Sequence, residues 1–164
     1  MLDIRPATPA DVPTILGFIR ELAAYEREPD AVVATEADLL RDGFGDAPHF
    51  RVLIASRDGE AAGFAFYFFQ YSTWTGTPIL YLEDLFVSPE HRGHGLGKAL
   101  MKHLAGVAVD AGCKRFHWAV LEWNQPAIGF YESLGAKVLP DWRTVRVDGE
   151  ALAALAGLAA PATL

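Results

Sequence analysis

The chain is poor in cysteine and in basic charge. Its one cysteine, Cys113, has no second thiol, which excludes an internal disulfide and a Cys-x-x-Cys redox or zinc motif. Its 14 Lys and Arg residues are outnumbered by 21 Asp and Glu, and no basic stripe is present, so we expect no nucleic-acid partner. The acids are concentrated before residue 51, in a region that would attract a cation or form a solvated acidic surface.

The chain also lacks a long apolar run. The longest, at residues 151–160, is well short of the ~20 residues that span a bilayer. The first residues, Met1-Leu2-Asp3-Ile4-Arg5, do not form a basic and then apolar leader. We therefore expect a cytoplasmic protein without a membrane partner.

Composition and length predict one folded domain over residues 1–164. Hydrophobic residues make up 51% of the chain and charged residues 21%, a mix that can fill a core. In 164 residues, a second independent core would have to be very small. The patterns predict an α+β fold, with antiparallel strands followed by a crossover that adds parallel pairing. Strands are expected at 2–5, 51–56, 63–71, 79–87 and 115–121, helices at 8–26, 35–43, 96–112 and 126–134, and a broken β-region at 138–147 before a final Ala-Leu helix.

A glycine-rich loop, Arg92-Gly93-His94-Gly95-Leu96-Gly97, stands between a predicted strand and a predicted helix. Such a loop suits a diphosphate, because backbone N–H groups and the helix N-terminus approach it closely. A dinucleotide motif would need glycine where Lys98 stands, and a P-loop would need glycine at Arg92 and Ser or Thr at Ala99. The spacing leaves R-x-x-G-x-G, which by itself also fits an ordinary flexible loop.

This R-x-x-G-x-G pattern, read as Arg92, Gly95 and Gly97, resembles the acetyl-CoA signature of the GCN5-related N-acetyltransferase (GNAT) superfamily. Further segments resemble its diamine acetyltransferase branch, which includes spermidine/spermine N-acetyltransferases and thialysine N-epsilon-acetyltransferases. The resemblance implies an acetyl-CoA-dependent N-acetyltransferase, a homodimer, and a mostly antiparallel sheet splayed between its two central strands with helices on both faces. The segments are Ala24-Tyr25-Glu26, Asp42-Gly43-Phe44-Gly45-Asp46, Tyr81-Leu82-Glu83-Asp84-Leu85-Phe86-Val87, Glu122-Trp123-Asn124 and Phe130-Tyr131-x-x-x-Gly135-Ala136.

An amine acceptor has to lose a proton before it can attack a thioester. With a pKa near ~10.4, the neutral amine costs about 4.6 kcal/mol at pH ~7. Glu83 and Asp84 interrupt an apolar strand, in which neighbours point to opposite sides, so at most one is expected on a given face. The residues alone leave a substrate contact and a structural acid equally open. The resemblance implies that Glu83 contacts and deprotonates the amine and that Asp84 supports its cationic end.

The resemblance also assigns the acyl donor. Tyr131 would protonate the leaving thiolate, although its helical spacing with Phe130 alone favours a core aromatic. The backbone at 85–87 would bond the pantetheine arm and polarise the thioester carbonyl, next to a β-bulge around 83–86. The expected cofactor-binding residues are Leu85, Phe86, Val87, Arg92, Gly93, His94, Gly95, Leu96, Gly97, Lys98, Asn124 and Tyr131.

The acceptor is assigned in the same way. The polyamine enzymes carry an acid two positions before a loop tryptophan, where this chain has Ser72. Ser72-Thr73-Trp74 instead resembles the thialysine branch, which favours a lysine-like amino acid or a short diamine; Trp74 alone fits a loop anchor equally well. The expected substrate-binding residues are Tyr25, Glu26, Ser72, Thr73, Trp74, Glu83 and Asp84.

Five histidines invite a metal hypothesis, but His91 and His94 lack a cysteine or acids at metal-ligand spacing, so no metal is expected.

The expected reaction is direct transfer of acetyl from acetyl-CoA to a small cationic amine in a ternary complex. Two alternatives stay open. One is a protein lysine or N-terminal acetyltransferase, and the other is a non-catalytic acyl-CoA-binding module.

Overall fold

The computed structural model describes residues 1–157, which form two compact units, residues 1–119 and residues 120 onward. The second unit contains helices α4 (Gln125–Ser133) and α5 (Gly149–Leu155). No helix within residues 1–157 has the length and apolar character needed to cross a membrane. The first unit contains strands β1 (Leu2–Pro6), β2 (Arg51–Arg57), β3 (Glu60–Ser72), β4 (Thr77–Val87) and β5 (Arg115–Trp118), and helices α1 (Val12–Tyr25), α2 (Glu36–Phe44) and α3 (Leu96–Asp110).

The five strands form one sheet in the order β1-β2-β3-β4-β5. The first four strands are antiparallel to their neighbours, and β5 lies parallel to β4 because α3 provides the crossover between them. The β2–β3 hairpin turns at Asp58-Gly59, where both residues have positive φ. The predicted α+β fold with a mixed, mostly antiparallel sheet is confirmed.

Alternate residues of β3 point to opposite faces of this sheet. Phe64 and Phe66 point toward α1 and α2, where the Phe64 ring lies 5.6 Å from Phe18 and the Phe66 ring 4.1 Å from Phe50. We call this side the α1 face. The opposite side, the α3 face, buries residues of the other parity under α3. They include Ala65, Leu80 and Leu82 of the strands and Leu100 and Leu104 of the helix.

The entry to α1 is fixed by local polar contacts. Arg5 of β1 donates two hydrogen bonds to the Asp11 carboxylate, at 2.8 and 2.7 Å, and the Thr8 backbone N–H donates to the same group at 2.7 Å. These contacts hold the pKa of Asp11 well below its ordinary value. They join the first strand to the start of α1 and so set the direction in which α1 carries Tyr25 and Glu26 at its far end.

The β3–β4 ladder contains one irregularity. Phe66 pairs with Asp84 and Tyr67 pairs with Leu82, so Glu83 has no partner on β3 and forms a β-bulge. On its other side β4 pairs with β5 only as far as Leu82, although β4 continues to Val87. The predicted bulge and the predicted separation of two neighbouring strands therefore coincide at Glu83.

Two predicted elements differ from the structure. β5 ends at Trp118 instead of Leu121, and within the described residues no strand forms at 138–147, where Val145 is 93% exposed. Alternating β-branched residues indicate a strand only when a partner strand and a packing surface are present, and the sequence pattern supplies neither. Of the apolar stretch 151–160, residues 158–160 lie outside the described residues. The single domain over 1–164 remains a prediction.

Candidate active site

The glycine loop leads directly into α3. Gly93 and Gly95 adopt φ of 77° and 82°, in the left-handed region that favours glycine, and Gly95 is the N-cap of the 15-residue α3. A Cβ on either glycine would meet no atom within 4 Å, so the surface beside the loop is open. The loop thus presents its backbone and a helix N-terminus to an anion.

Of the other residues in and after this loop, one is buried in the core and others are exposed. Leu96 is buried and anchors the first turn of α3, whereas Lys98 is exposed on the same turn. His94 is exposed, and its Nδ1 lies 3.4 Å from the His91 carbonyl oxygen. The loop therefore keeps one apolar anchor and exposes its polar groups.

Arg92, at the start of this loop, contacts protein groups. Its Nε donates a hydrogen bond to the Val87 carbonyl oxygen at 2.9 Å. Its guanidinium carbon lies 5.1 Å from the centre of the Tyr25 ring and 5.6 Å from that of Phe86, in cation–π geometry. Arg92, predicted as a cofactor contact, thus connects the glycine loop to the end of β4 and to the last turn of α1.

The bulge changes which way the two acids of β4 point. Tyr81 pairs with Phe68 and Asp84 pairs with Phe66, and both partners lie on the α1 face. Residues 81 and 84 would face opposite sides in a regular strand, so the extra residue Glu83 has shifted the alternation. The Glu83 carboxylate adds to burial in raising the pKa values of both Tyr81 and Asp84, which places its charge on that face too. The expectation that at most one acid would point into a given face is wrong, because it assumed an unbroken strand.

Electrostatics place Glu26 with these two acids. Burial, together with the nearby carboxylates of Glu83 and Glu26, raises the pKa of Asp84 to about 7. Burial also raises the pKa of Glu26. We call Glu26, Glu83 and Asp84 the acid cluster. Its most buried member, Asp84, is close to half-protonated at neutral pH and can exchange a proton there.

Sequence reasoning gave Asp84 a lesser role than Glu83. The residue pattern gave no local signal of the surroundings of Asp84, because its place opposite Phe66 on a buried face depends on where the bulge falls in the β3–β4 ladder. Glu83, by contrast, is exposed. Burial, not residue type, decides which carboxyl holds a proton near neutral pH.

The rest of this β4 segment borders the strand separation. Leu85 pairs with Ala65 and so belongs to the α3 face, whereas Phe86 is buried on the α1 face, 5.9 Å from the Phe18 ring. Since β5 ends its pairing at Leu82, residues 83–87 form an edge of β4 to which a ligand backbone can bond.

Three predicted substrate-binding residues lie at the end of β3 and in the loop that follows it, with different surroundings. Ser72 is buried, its Oγ accepts a hydrogen bond from the Thr75 backbone N–H at 3.2 Å, and its carbonyl accepts one from Gly76 at 2.9 Å. Thr73 is exposed, and Trp74 is 77% exposed with the Arg115 guanidinium 5.9 Å from its ring. Ser72 thus holds the turn, while Trp74 presents a surface.

In the second unit, Asn124 and Tyr131 lie at the start and in the body of α4. The buried Asn124 caps this helix, its Oδ1 accepting a hydrogen bond from the Ala127 backbone N–H at 3.3 Å. Tyr131 is half-buried, with its ring 5.3 Å from that of Phe130. The capping role of Asn124 was not predicted, although Asn before Pro126 is a typical N-cap pattern.

Comparison with known proteins decides the family. The model of the acetyltransferase (GNAT) family matches residues 16–136. The thialysine N-epsilon-acetyltransferase of Sus scrofa is 46% identical over 165 residues, which cover 94% of this chain and 96% of the pig protein. This chain belongs to the GNAT family.

Two further proteins extend the likeness of this GNAT chain. Spermidine/spermine N(1)-acetyltransferase-like protein 1 of Homo sapiens is 43% identical over 91% of the chain, which corresponds to 23% of the human protein. The solved structure of an integron cassette protein of V. cholerae matches with a TM-score of 0.80 and 31% identity, covering 94% of this chain and 97% of that one. Together with the family match, these relatives identify an acetyl-CoA-dependent N-acetyltransferase.

The residues of the site fit this cosubstrate. The open backbone of the glycine loop and the N-terminus of α3 suit its diphosphate, and the unpaired edge of β4 at 83–87 suits its amide-containing arm. Within residues 1–157 no three His, Cys, Asp or Glu side chains are grouped so that they could hold a metal ion. The acid cluster is therefore not arranged as a metal site.

Replacement of Gly95 by alanine tests the glycine loop. A Cβ forces the left-handed φ of 82° to be strained and fills the open surface beside the loop. We expect Gly95→Ala to weaken coenzyme A binding roughly 10-fold or more, measured by calorimetric titration, with at most about 1–3 kcal/mol of lost stability.

Gly106→Ala in the middle of α3 is the matched control, since a Cβ there also meets nothing within 4 Å and φ is helical. It should leave coenzyme A affinity unchanged. Equal affinity for wild type and Gly95→Ala would contradict the assignment of the loop to the diphosphate.

Proposed function

We propose that this enzyme acetylates the primary amine of a small cationic acceptor, a lysine-like amino acid or a short diamine, by direct attack in a ternary complex. The observation that carries the proposal is the acid cluster, where Glu26, Glu83 and Asp84 share one face at the point where β4 separates from β5. Three carboxyl groups attract an ammonium group, and the separated strand edge accommodates the acyl donor beside them.

Acetyl-CoA supplies an activated acetyl group. In this proposal the backbone of the glycine loop holds its diphosphate and the β4 edge binds its amide-containing arm. Asn124 is a further cofactor contact in the proposal. Arg92 contributes indirectly, because its contacts with Val87 and Tyr25 fix the loop against β4 and α1. One side chain thereby connects the loop proposed to bind acetyl-CoA with the end of α1 proposed to bind the amine.

The acid cluster removes the proton from the acceptor. Glu83, exposed on the bulge, contacts the incoming ammonium, and Asp84 takes up the proton, because burial has brought its pKa to about 7. Glu26 adds negative charge from the end of α1. After the acetyl group has been transferred, Tyr131 of α4 donates a proton to the departing thiolate.

Direct transfer is favoured over an acyl-enzyme. A covalent route would need a nucleophile such as a cysteine thiolate, and the sequence has only Cys113. Cys113 precedes β5, whose first residue Arg115 pairs with Ile79, four residues before the bulge at Glu83. The acceptor amine is therefore the nucleophile in this proposal.

We also propose that the protein is a cytoplasmic homodimer whose residues 1–164 form one catalytic domain. Its net charge of −7 argues against nucleic acid as a partner. Light scattering at several protein concentrations tests the dimer; a single mass of about the 17.9 kDa chain would exclude it.

A substrate panel tests the proposed function. Release of coenzyme A thiol is measured with acetyl-CoA and lysine, thialysine, ornithine, cadaverine, putrescine, spermidine or a lysine-containing peptide. We expect turnover with the short amines, weak turnover with spermidine because Ser72 supplies no acid, and none with the peptide. Preferred acetylation of the peptide would support a protein acetyltransferase, and no turnover with any amine would leave an acyl-CoA-binding module.

The pH dependence of turnover tests the acid cluster. Because a base must be deprotonated to act, kcat/KM should rise with pH through the Asp84 pKa of about 7. Glu83→Gln should shift this ionisation to lower pH, since the charge of Glu83 keeps the proton on Asp84. Asp84→Asn should abolish it and lower kcat/KM by roughly 10²–10⁴.

Glu60→Gln in the β2–β3 hairpin removes an exposed carboxylate elsewhere and should leave the profile unchanged. An ionisation near neutral pH that persists in Asp84→Asn would assign the proton to another group.

Replacement of Tyr131 by phenylalanine tests the proton donor. The change keeps the ring beside Phe130 and removes only the hydroxyl, so α4 should be retained. We expect kcat to fall by roughly 10²–10⁴ while coenzyme A affinity, from calorimetric titration, stays within error. Unchanged turnover would remove Tyr131 from the mechanism.

A further inference from the structure

The α1 face carries charges of opposite sign at two ends. The parallel β4–β5 register places Arg115 beside Ile79 and His117 beside Tyr81. Neighbours in register point to the same face, and Tyr81 belongs to the α1 face through its pairing with Phe68. Arg115 and His117 therefore lie on the same face as the acid cluster, further back along β4.

The basic end is formed by Arg115 and Trp74. The Arg115 guanidinium lies 5.9 Å from the Trp74 ring, which connects β5 to the β3–β4 loop. Burial, together with the positive charge of Arg115, lowers the pKa of His117, which disfavours a charged imidazole at this end. Arg115 is thus the cation of this end, and it is exposed to solvent.

An apolar floor separates the two ends. The rings of Phe68 and Tyr81 lie 5.2 Å apart on this face, and both side chains are only half-buried within the first unit. Along β4, Ile79 and Glu83 are four residues apart, a backbone distance of roughly 13 Å. The long side chains of Arg115 and Glu83 can each cover part of this distance, which leaves room for a short, extended molecule.

We propose that Arg115 binds the α-carboxylate of the acceptor, so that the preferred acceptor is an α-amino acid bearing a side-chain amine. The inference rests on the proposed function, since it places that amine at the acid cluster. A guanidinium binds a carboxylate through two parallel hydrogen bonds, and its contact with Trp74 restricts the side chain beforehand. The remote ammonium of a diamine or polyamine would meet the same cation and be repelled.

Ser72 agrees with this specificity. Its hydroxyl is engaged in the β3–β4 turn with Thr75 and supplies no negative charge beside Trp74. An acceptor that reaches the end of the face near Trp74 therefore meets the positive charge of Arg115. Arg115 is a specificity-determining residue in this proposal and takes no part in proton transfer.

Matched substrate pairs test the inference. Lysine and cadaverine, and ornithine and putrescine, share the reacting amine and differ by the α-carboxylate. Wild type should prefer the amino acid of each pair in kcat/KM. Arg115→Gln should lower kcat/KM for the amino acids by roughly 10- to 100-fold, through KM and not kcat, while values for the diamines stay equal or rise.

Two further variants sharpen the readout. Arg115→Lys keeps the charge without the paired donors and should retain an intermediate preference. Lys102→Gln removes the same charge from an exposed position on α3, which packs on the opposite face. It should leave kcat/KM unchanged for both substrates of a pair.

The outcomes separate the inference from the proposed function. Acetylation of the diamines in preference to the amino acids, or an equal effect of Arg115→Gln on both members of a pair, would overturn the role of Arg115 while the acetyltransferase function stands. Failure to acetylate any of the four amines would overturn both.

Discussion

One extra residue in β4 determines how the site is arranged. Without Glu83 as a bulge, Tyr81 and Asp84 would point to opposite faces, and Asp84 would lie on the α3 face. With the bulge, Asp84 enters the α1 face beside Phe66, and burial there raises its pKa. The pairing of β4 with β5 ends at the residue before the bulge, so the acids and the exposed strand edge occur together.

Arg92 connects the glycine loop with the end of α1, the two parts of the first unit proposed to bind acetyl-CoA and the amine. It begins the glycine loop, bonds the end of β4 and lies over Tyr25, the residue before Glu26. An arginine is suited to this position, since its planar cation can bond a carbonyl and lie against aromatic rings at once.

Several acids of the N-terminal region are paired with arginines and do not serve to bind the cationic substrate. Asp38 and Asp42 are paired with Arg41, at 2.9 and 2.6 Å, and Asp11 is paired with Arg5. These acids form ion pairs with neighbouring arginines, which agrees with the interpretation of the N-terminal charge as a solvated acidic surface. Glu26 differs from these three acids, because burial raises its pKa and its charge acts on Asp84. The acid cluster thus combines one residue of α1 with two of β4.

Local patterns in the sequence predicted most of the helices and strands, the mixed sheet and the position of the glycine loop, and the motifs predicted the family. These follow from local signals: periodicity, capping residues, turn dipeptides and motif spacing. The bulge was expected only through the family resemblance. The shared face of Asp84 and Glu83, the hydrogen bond of Ser72 within its turn and the contact of Arg115 with Trp74 became evident only in the folded chain. The absence of a strand at 138–147 belongs with these. Each depends on strand register and on neighbours distant in sequence, and a one-residue change of register reverses which side chains meet.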